Sequence, residues 1–231
     1  MTSVELKMNS RQLIRANMPK LILVGLVYIV VTAFISELQF RLPAPVGIYQ
    51  QLRLGQITIE QFYNSFRTYG LLLSLMLGLM LPAVSIGYKN YCLKIVRKQD
   101  GDYKDLLFGL GMFTKVISLS VVITVIVMFW SLLFFIPGII AYYKYRQAYY
   151  ILLDDPSKGI IHCIYESRHI MNGKKIELFL VDLSFLSWYI LNTLVLSFVI
   201  PVFPIVSIWL TPYYGLTQAT YYNNLLKEIA V

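Results

Sequence analysis

The chain of 231 residues is 58% hydrophobic and only 14% charged, against roughly 45–50% and about 25% for soluble globular domains, an excess of apolar side chains that excludes an ordinary water-soluble fold. A formal net charge of +8 does not point to nucleic acid, because the basic residues form no base-reading cluster and no soluble domain carries them. Long uncharged runs point to lipid instead: 21 residues from 68 to 88, 28 from 116 to 143 and 44 from 183 to 226, where about 20 suffice to cross a hydrocarbon core of about 30 Å.

Residues 1–20 form a basic amphipathic lead-in, with Leu6, Leu13, Ile14 and Met18 set between Lys7, Arg11 and Arg15, and are expected to lie on an anionic inner leaflet. A first span follows over about 20–36. Val31-Thr32-Ala33 would tolerate cleavage, but the run is longer than the apolar core of a leader and further spans follow it, so it is read as a span. In the loop from 37 to 67, Thr58 and Gln61 make a capping box ahead of Phe62, Phe66, Tyr69 and Leu73 at helical spacing, which predicts a short interfacial helix feeding a second span over about 69–91. Lys94, Arg97 and Lys98 stop that span.

Asp100, Asp102 and Asp105 lack the Gly and terminal Glu of a calcium loop and are read as a solvated turn. Leu106, Leu107, Leu110 and Phe113 then suggest a surface helix entering a third span over about 115–136. Ile136-Pro137-Gly138 turns the chain into a fourth span over about 137–153. Asp155 reads as an N-cap with Pro156 at the first helical position, and Asn172-Gly173 as a stop, delimiting a helix of about four turns. Its Ile160, Ile161, Ile164, Tyr165 and Met171 share one face and Lys158, His162, Glu166 and His169 the other, so it is expected to lie flat on the membrane. Fifth and sixth spans run over about 178–200 and 204–224, separated by Pro201 and Pro204.

The expected fold class is all-α: one integral membrane domain over residues 1–231, with six transmembrane helices as three hairpins plus interfacial amphipathic helices. Fifteen of the twenty Lys and Arg fall on one side of this topology and three, Arg41, Arg53 and Arg67, in the 31-residue loop from 37 to 67. The excess places both termini in the cytoplasm of a multi-pass cell-membrane protein. Cys92 and Cys163 both fall on that side and are expected as free thiols. The inner halves of the even-numbered spans are rich in tyrosine, at 88 and 91, at 142, 143, 149 and 150, and at 213, 214, 221 and 222. An aromatic belt explains most of them, although Tyr142 and Tyr213 sit too deep for one.

The remaining two cations, Lys144 and Arg146, lie within the fourth span, where an uncompensated charge costs at least about 2.5–3.5 kcal/mol. Asp182, in the fifth span, is the only acid embedded in one. The expected intramembrane polar site is therefore Arg146, helped by Lys144, paired with Asp182 beside Ser184 and the tyrosine hydroxyls. A structural ion pair accounts for the same residues. Lys158, Arg168, Lys174 and Lys175 are the expected contacts of the surface helix with lipid. His162, Glu166 and His169 share a helix face but have no fourth ligand, so no metal is expected. No phosphate loop, nucleophile elbow or zinc motif is present, so neither a cofactor nor an enzyme is expected.

Trp130 to Ile140, Asp154-Asp155-Pro156, Glu166-Ser167-Arg168, Met171 to Lys175, Phe179 to Phe185 with Trp188, and Pro212-Tyr213 with Tyr221-Tyr222 are similar in order and spacing to a bacterial family of integral membrane proteins, the domain of unknown function nine-seven-five. The resemblance covers about residues 75 to 228, and is more distantly one to the membrane domain of some glycerophosphodiester phosphodiesterases. It implies a multi-span membrane protein without assigned biochemistry. The functional expectation is a non-enzymatic membrane component that binds lipid or a partner membrane protein, or forms a homo-oligomer, through its cytoplasmic face, with no nucleic acid involved. The alternative is a small permease-like protein with its polar site at Arg146 and Asp182, disfavoured because Pro137, Pro201 and Pro204 fall at turns and only Pro212 falls within a span, whereas transporters need broken helices around a central site.

Overall fold

In the computed structural model, which describes residues 3–41, 47–64, 68–198 and 205–229, the described chain is built of helices joined by short turns, with no strand among the described residues. Its elements are α1 (Ser3–Asn17), α2 (Lys20–Arg41), α3 (Ile48–Arg53), α4 (Ile59–Asn64), α5 (Thr68–Gly78), α6 (Met80–Val96), a 3₁₀ turn (Tyr103–Leu107), α7 (Phe108–Gly111), α8 (Phe113–Leu133), α9 (Phe135–Tyr145), α10 (Ala148–Asp154), α11 (Ile160–Ile170), α12 (Lys175–Phe198) and α13 (Ile205–Ile229). Among the described residues three stretches are long and apolar enough to cross a membrane: Lys20–Gln39, Gly70–Val96 and Phe113–Leu133. They leave large apolar side chains exposed, such as Leu23 and Phe34 on α2, Leu72 and Met76 on α5, and Val125 and Phe129 on α8, the surface expected of helices solvated by lipid. The expected turn at Pro201 and Pro204 lies outside the described residues.

The closely packed core draws on the second half of α6, on α10, and on the facing parts of α2, α8, α12 and α13, with Tyr91, Phe185, Tyr213 and Tyr222 fully buried. α1 belongs to this core, which corrects the expectation of a helix lying on the leaflet. Leu6, Ser10 and Ile14, spaced at i, i+4 and i+8, are all buried, and the hydroxyls of Ser10 and Thr217 on α13 stand 3.1 Å apart. Lys7 donates to the Ser184 carbonyl at 3.2 Å and lies 4.7 Å from the Phe185 ring centroid, while Arg11 sits 5.5 Å from that of Tyr213. The same amphipathic stripe that suits a lipid surface suits a protein groove. Leu6→Ala should cost about 2–5 kcal/mol and loosen α1, so that a cysteine placed at position 10 becomes reactive to a thiol reagent in the variant and stays protected in the parent.

The capping box forms as expected: the Thr58 amide donates to the Gln61 side chain at 2.9 Å and the Gln61 amide to the Thr58 hydroxyl at 3.2 Å. Residues 65–67, including Phe66, lie outside the described set. The acidic turn is anchored rather than solvated. Asp105 accepts from the Asp102 amide at 2.9 Å and from Lys94 at 2.6 Å, which opens the 3₁₀ turn against α6.

The break between the third and fourth segments falls at the extended residue Phe134, three residues before the expected prolyl turn. Pro137 then occupies the first turn of α9, where its missing donor costs nothing. Gly138 lets the hairpin close, because a Cβ there would stand 2.0 Å from the Ser131 hydroxyl oxygen.

α11 begins at Ile160 rather than at Pro156 and spans 11 residues, about three turns. Asp155 caps a separate turn, accepting from the Ser157 amide at 3.0 Å and its hydroxyl at 2.5 Å, and these donors hold its carboxyl below the usual range. The face that α11 turns to the protein is Cys163, Ser167 and Ile170, while part of the stripe expected against the membrane stays outside. Ile161 is 82% exposed and Tyr165 65%. Gly173 supplies the stop, with φ of 75°, a conformation open to glycine at little cost.

Candidate functional site

The fourth segment is interrupted at its centre, between the end of α9 at Tyr145 and the start of α10 at Ala148. An unbroken helix would pair the Lys144 carbonyl with the Ala148 amide. That carbonyl instead accepts the buried Ser167 hydroxyl from α11 at 2.9 Å, a side-chain insertion that interrupts a helical ladder. Arg146 stands at the interruption and turns its guanidinium into the bundle.

There Arg146 forms an ion pair with Asp182 of α12, and its other terminal nitrogen donates to the Tyr214 hydroxyl. Asp182 also accepts the Tyr143 hydroxyl at 2.9 Å, the Tyr214 hydroxyl at 3.0 Å and the Gln218 amide at 2.8 Å. Both charged side chains are largely buried, at 13% and 19% exposure. The carboxylate is fully occupied by donors, so the arrangement serves to fix geometry and charge rather than to supply a free base.

The other two residues expected at this site are elsewhere. The Ser184 hydroxyl bonds back to the Val181 carbonyl at 2.5 Å. Lys144, two positions from Arg146, leaves the opposite side of the segment, and its ammonium lies 5.4 Å from the Tyr145 ring centroid.

Beside the ion pair opens a cavity of about 800 Å³, walled by α2, α6, α8, the α9–α10 segment, α12 and α13. Its lining includes Tyr28, Tyr88, Tyr142, Tyr149, Tyr150, Tyr189 and Tyr214. Tyr88, Tyr149, Tyr150 and Tyr214 come from the tyrosine-rich blocks assigned to an aromatic belt but line this cavity, so a belt does not describe them; Tyr142, read as too deep for a belt, lines it too. Tyr28 and Tyr88 stack with centroids 4.3 Å apart.

Arg146 lies 5.4 Å from the Tyr142 centroid and 5.8 Å from that of Tyr214. Lys89, on α6, also lines this cavity, with its ammonium 4.2 Å from the Tyr149 centroid and 5.6 Å from the Tyr150 centroid. No acidic side chain among the described residues pairs with Lys89. The sequence reading placed Lys89 with the cytoplasmic loop charges and missed it. The signal was present in its flanks, since Gly87 to Tyr91 is one of the tyrosine-rich blocks.

The surface cations divide into two sets. Lys158 pairs with Glu166 at 2.7 Å, and Lys174 with Glu228 at 2.8 Å and Glu177 at 3.4 Å. Arg168 and Lys175 converge instead with Lys144, Tyr165, His169 and Asn172 around a second cavity of about 360 Å³. His162 approaches Glu166 at 3.7 Å while His169 turns to that second cavity, and among the described residues no group of three His, Cys, Asp or Glu is placed to hold a metal. Cys92 and Cys163 are free and buried.

No curated protein and no solved structure matches the chain, and the distant likeness to phosphodiesterase membrane domains is not shown by these comparisons. Residues 133–228, the segment that supplies Arg146, Asp182, Tyr214 and Gln218, match the family described as Protein of unknown function (DUF975).

Proposed function

We propose that the chain is a six-span cell-membrane protein, with both termini in the cytoplasm, whose central cavity binds an anionic solute and passes it across in the manner of a small permease. The observation that carries this reading is Lys89, a cation inside a helical bundle with tyrosine faces but, among the described residues, no acid paired with it. Arg146 is neutralised by Asp182, so the cavity holds one positive charge in excess, which a monoanion would balance. Its volume of about 800 Å³ falls within the roughly 300–1,000 Å³ of small-molecule sites. Cation–π contacts, worth about 2 kcal/mol or more when desolvated, hold the unpaired ammonium in place until an anion arrives.

Two features support passage over simple binding. The α9–α10 segment is interrupted beside the cavity, as transporters require around a central site. Pro212, within α13, packs against Gly25 of α2, where a Cβ would lie 3.5 Å from its Cδ.

A ligand-independent test places a cysteine at Thr124, on the cavity wall, in a background with Cys92 and Cys163 replaced by alanine. An anionic methanethiosulfonate should react at least about ten-fold faster than a cationic one of similar size, because the local field favours the anion. Lys89→Gln should collapse that ratio toward one. Equal rates in the parent, or no reaction with either reagent, would remove the basis for a solute cavity.

A second reading keeps the protein as a non-enzymatic component that binds lipid or a partner membrane protein through its cytoplasmic face. The convergence of Lys144, Arg168 and Lys175 favours its lipid arm.

A further inference from the structure

We infer that the cavity between α9, α11 and the start of α12 binds the phosphate headgroup of an anionic phospholipid. This site is separate from the central cavity and rests only on the membrane reading of the chain.

Three cations from three elements, Lys144 on α9, Arg168 on α11 and Lys175 on α12, line a space of about 360 Å³ together with Tyr165, His169 and Asn172. No acid among the described residues pairs with any of the three. Their neighbours Lys158 and Lys174 are neutralised by Glu166, Glu177 and Glu228, so the absence of carboxylates here is local. Mutual repulsion among three cations opposes their convergence unless an anion joins them. The available donors, a guanidinium fork, two ammoniums, a side-chain amide and a phenol, match the oxygens of a phosphate.

The choice of lipid over a dissolved phosphate ester comes from the surroundings. Ile140 stands one turn before Lys144, and Phe179 one turn after Lys175. Both are exposed, at 48% and 40%. α9 and α12 run side by side here, since Tyr143 meets the Phe179 ring at 5.8 Å and the Asp182 carboxylate. The apolar side chains therefore lie on the same side of the cations, followed outward by exposed Ile136 and Leu183. A headgroup among the cations would lay its acyl chains along this strip, the arrangement in which basic pockets between helices hold anionic lipids. The chain meets this site where α11 is fixed to the α9–α10 interruption by the bond from Ser167 to Lys144, so an occupant would also brace the segment that carries Arg146.

The test measures the thermal midpoint of the full chain in a neutral detergent, titrated with phosphatidylglycerol, phosphatidylcholine or glycerol 3-phosphate. Phosphatidylglycerol should raise the midpoint saturably and phosphatidylcholine should not. The double variant Arg168→Gln/Lys175→Gln should weaken the phosphatidylglycerol response by about thirty-fold in concentration, while Lys158→Gln/Lys174→Gln should leave the site intact. These residues are exposed or half-buried, and retention of the unliganded midpoint shows that the variant folds. Should its midpoint fall, Arg168→Lys is read in its place, with weakened lipid response expected from loss of the fork. An unchanged response in both overturns the site. Equal stabilisation by glycerol 3-phosphate alone overturns the lipid assignment.

Discussion

Replacing Asp182 with alanine is expected to destabilise the protein by about 3–5 kcal/mol, the cost of leaving a buried partner charge uncompensated. Arg146 would keep one hydrogen bond, to Tyr214, and lose its counterion. Tyr143, Tyr214 and Gln218 would lose their common acceptor. Asp182→Asn should be milder, since the carboxamide oxygen still accepts from Tyr143 or Gln218 while its amide group faces the guanidinium unfavourably. The double variant Arg146→Met/Asp182→Leu should recover much of the loss, because an apolar pair of similar volume carries no desolvation cost. The readout is the thermal midpoint in detergent, followed by gel filtration, as a double-mutant cycle. A single-variant loss below about 1 kcal/mol, or strict additivity in the double, would show that the pair does not brace the bundle.

How much of this arrangement the sequence reveals depends on the kind of signal. Uncharged runs locate α2, α5–α6 and α8 because lipid admits few charges, and this constraint is independent of tertiary contacts. The Arg146–Asp182 contact is legible for the same reason, since one acid embedded in a span has few places to go. Lys144 could have been excluded from that site by helical geometry alone. Two residues along a helix differ by about 200° in direction, so Lys144 and Arg146 cannot both reach one carboxylate. Lys89 was hidden because it was counted with the cytoplasmic charges although the expected span over 69–91 contains it, whereas α6 continues to Val96 and the ammonium lies over the Tyr149 and Tyr150 rings. The docking of α1 was not legible, because an amphipathic stripe does not say whether lipid or α13 covers it. The same holds for α11, whose buried stripe of Cys163, Ser167 and Ile170 is less hydrophobic than the stripe left outside. Burial there follows from the need of the Lys144 carbonyl for a donor, which no periodicity reports.

Gly87→Ala and Gly109→Ala should each destabilise the chain by about 1–3 kcal/mol or more, the scale of overpacking a tight contact. At Gly87, on α6, a Cβ would stand 2.1 Å from the Leu106 carbonyl oxygen, and at Gly109, on α7, one would stand 1.9 Å from the Ala83 carbonyl oxygen. Both obstacles are backbone, which cannot rotate away as a side chain can. The two clashes describe one crossing: the 3₁₀ turn and α7 lie directly on α6 through a pair of glycines, locked by Lys94 and Asp105. Because each substitution would force the same separation, the double variant should cost clearly less than the sum of the singles. Separation would also strain α6 just ahead of Tyr88 and Lys89, so the charge preference of the central cavity should weaken in either single variant while Arg168 and Lys175 keep their lipid response. Additive losses, or a cavity preference unaltered by a large loss of stability, would mean that the crossing does not position Lys89.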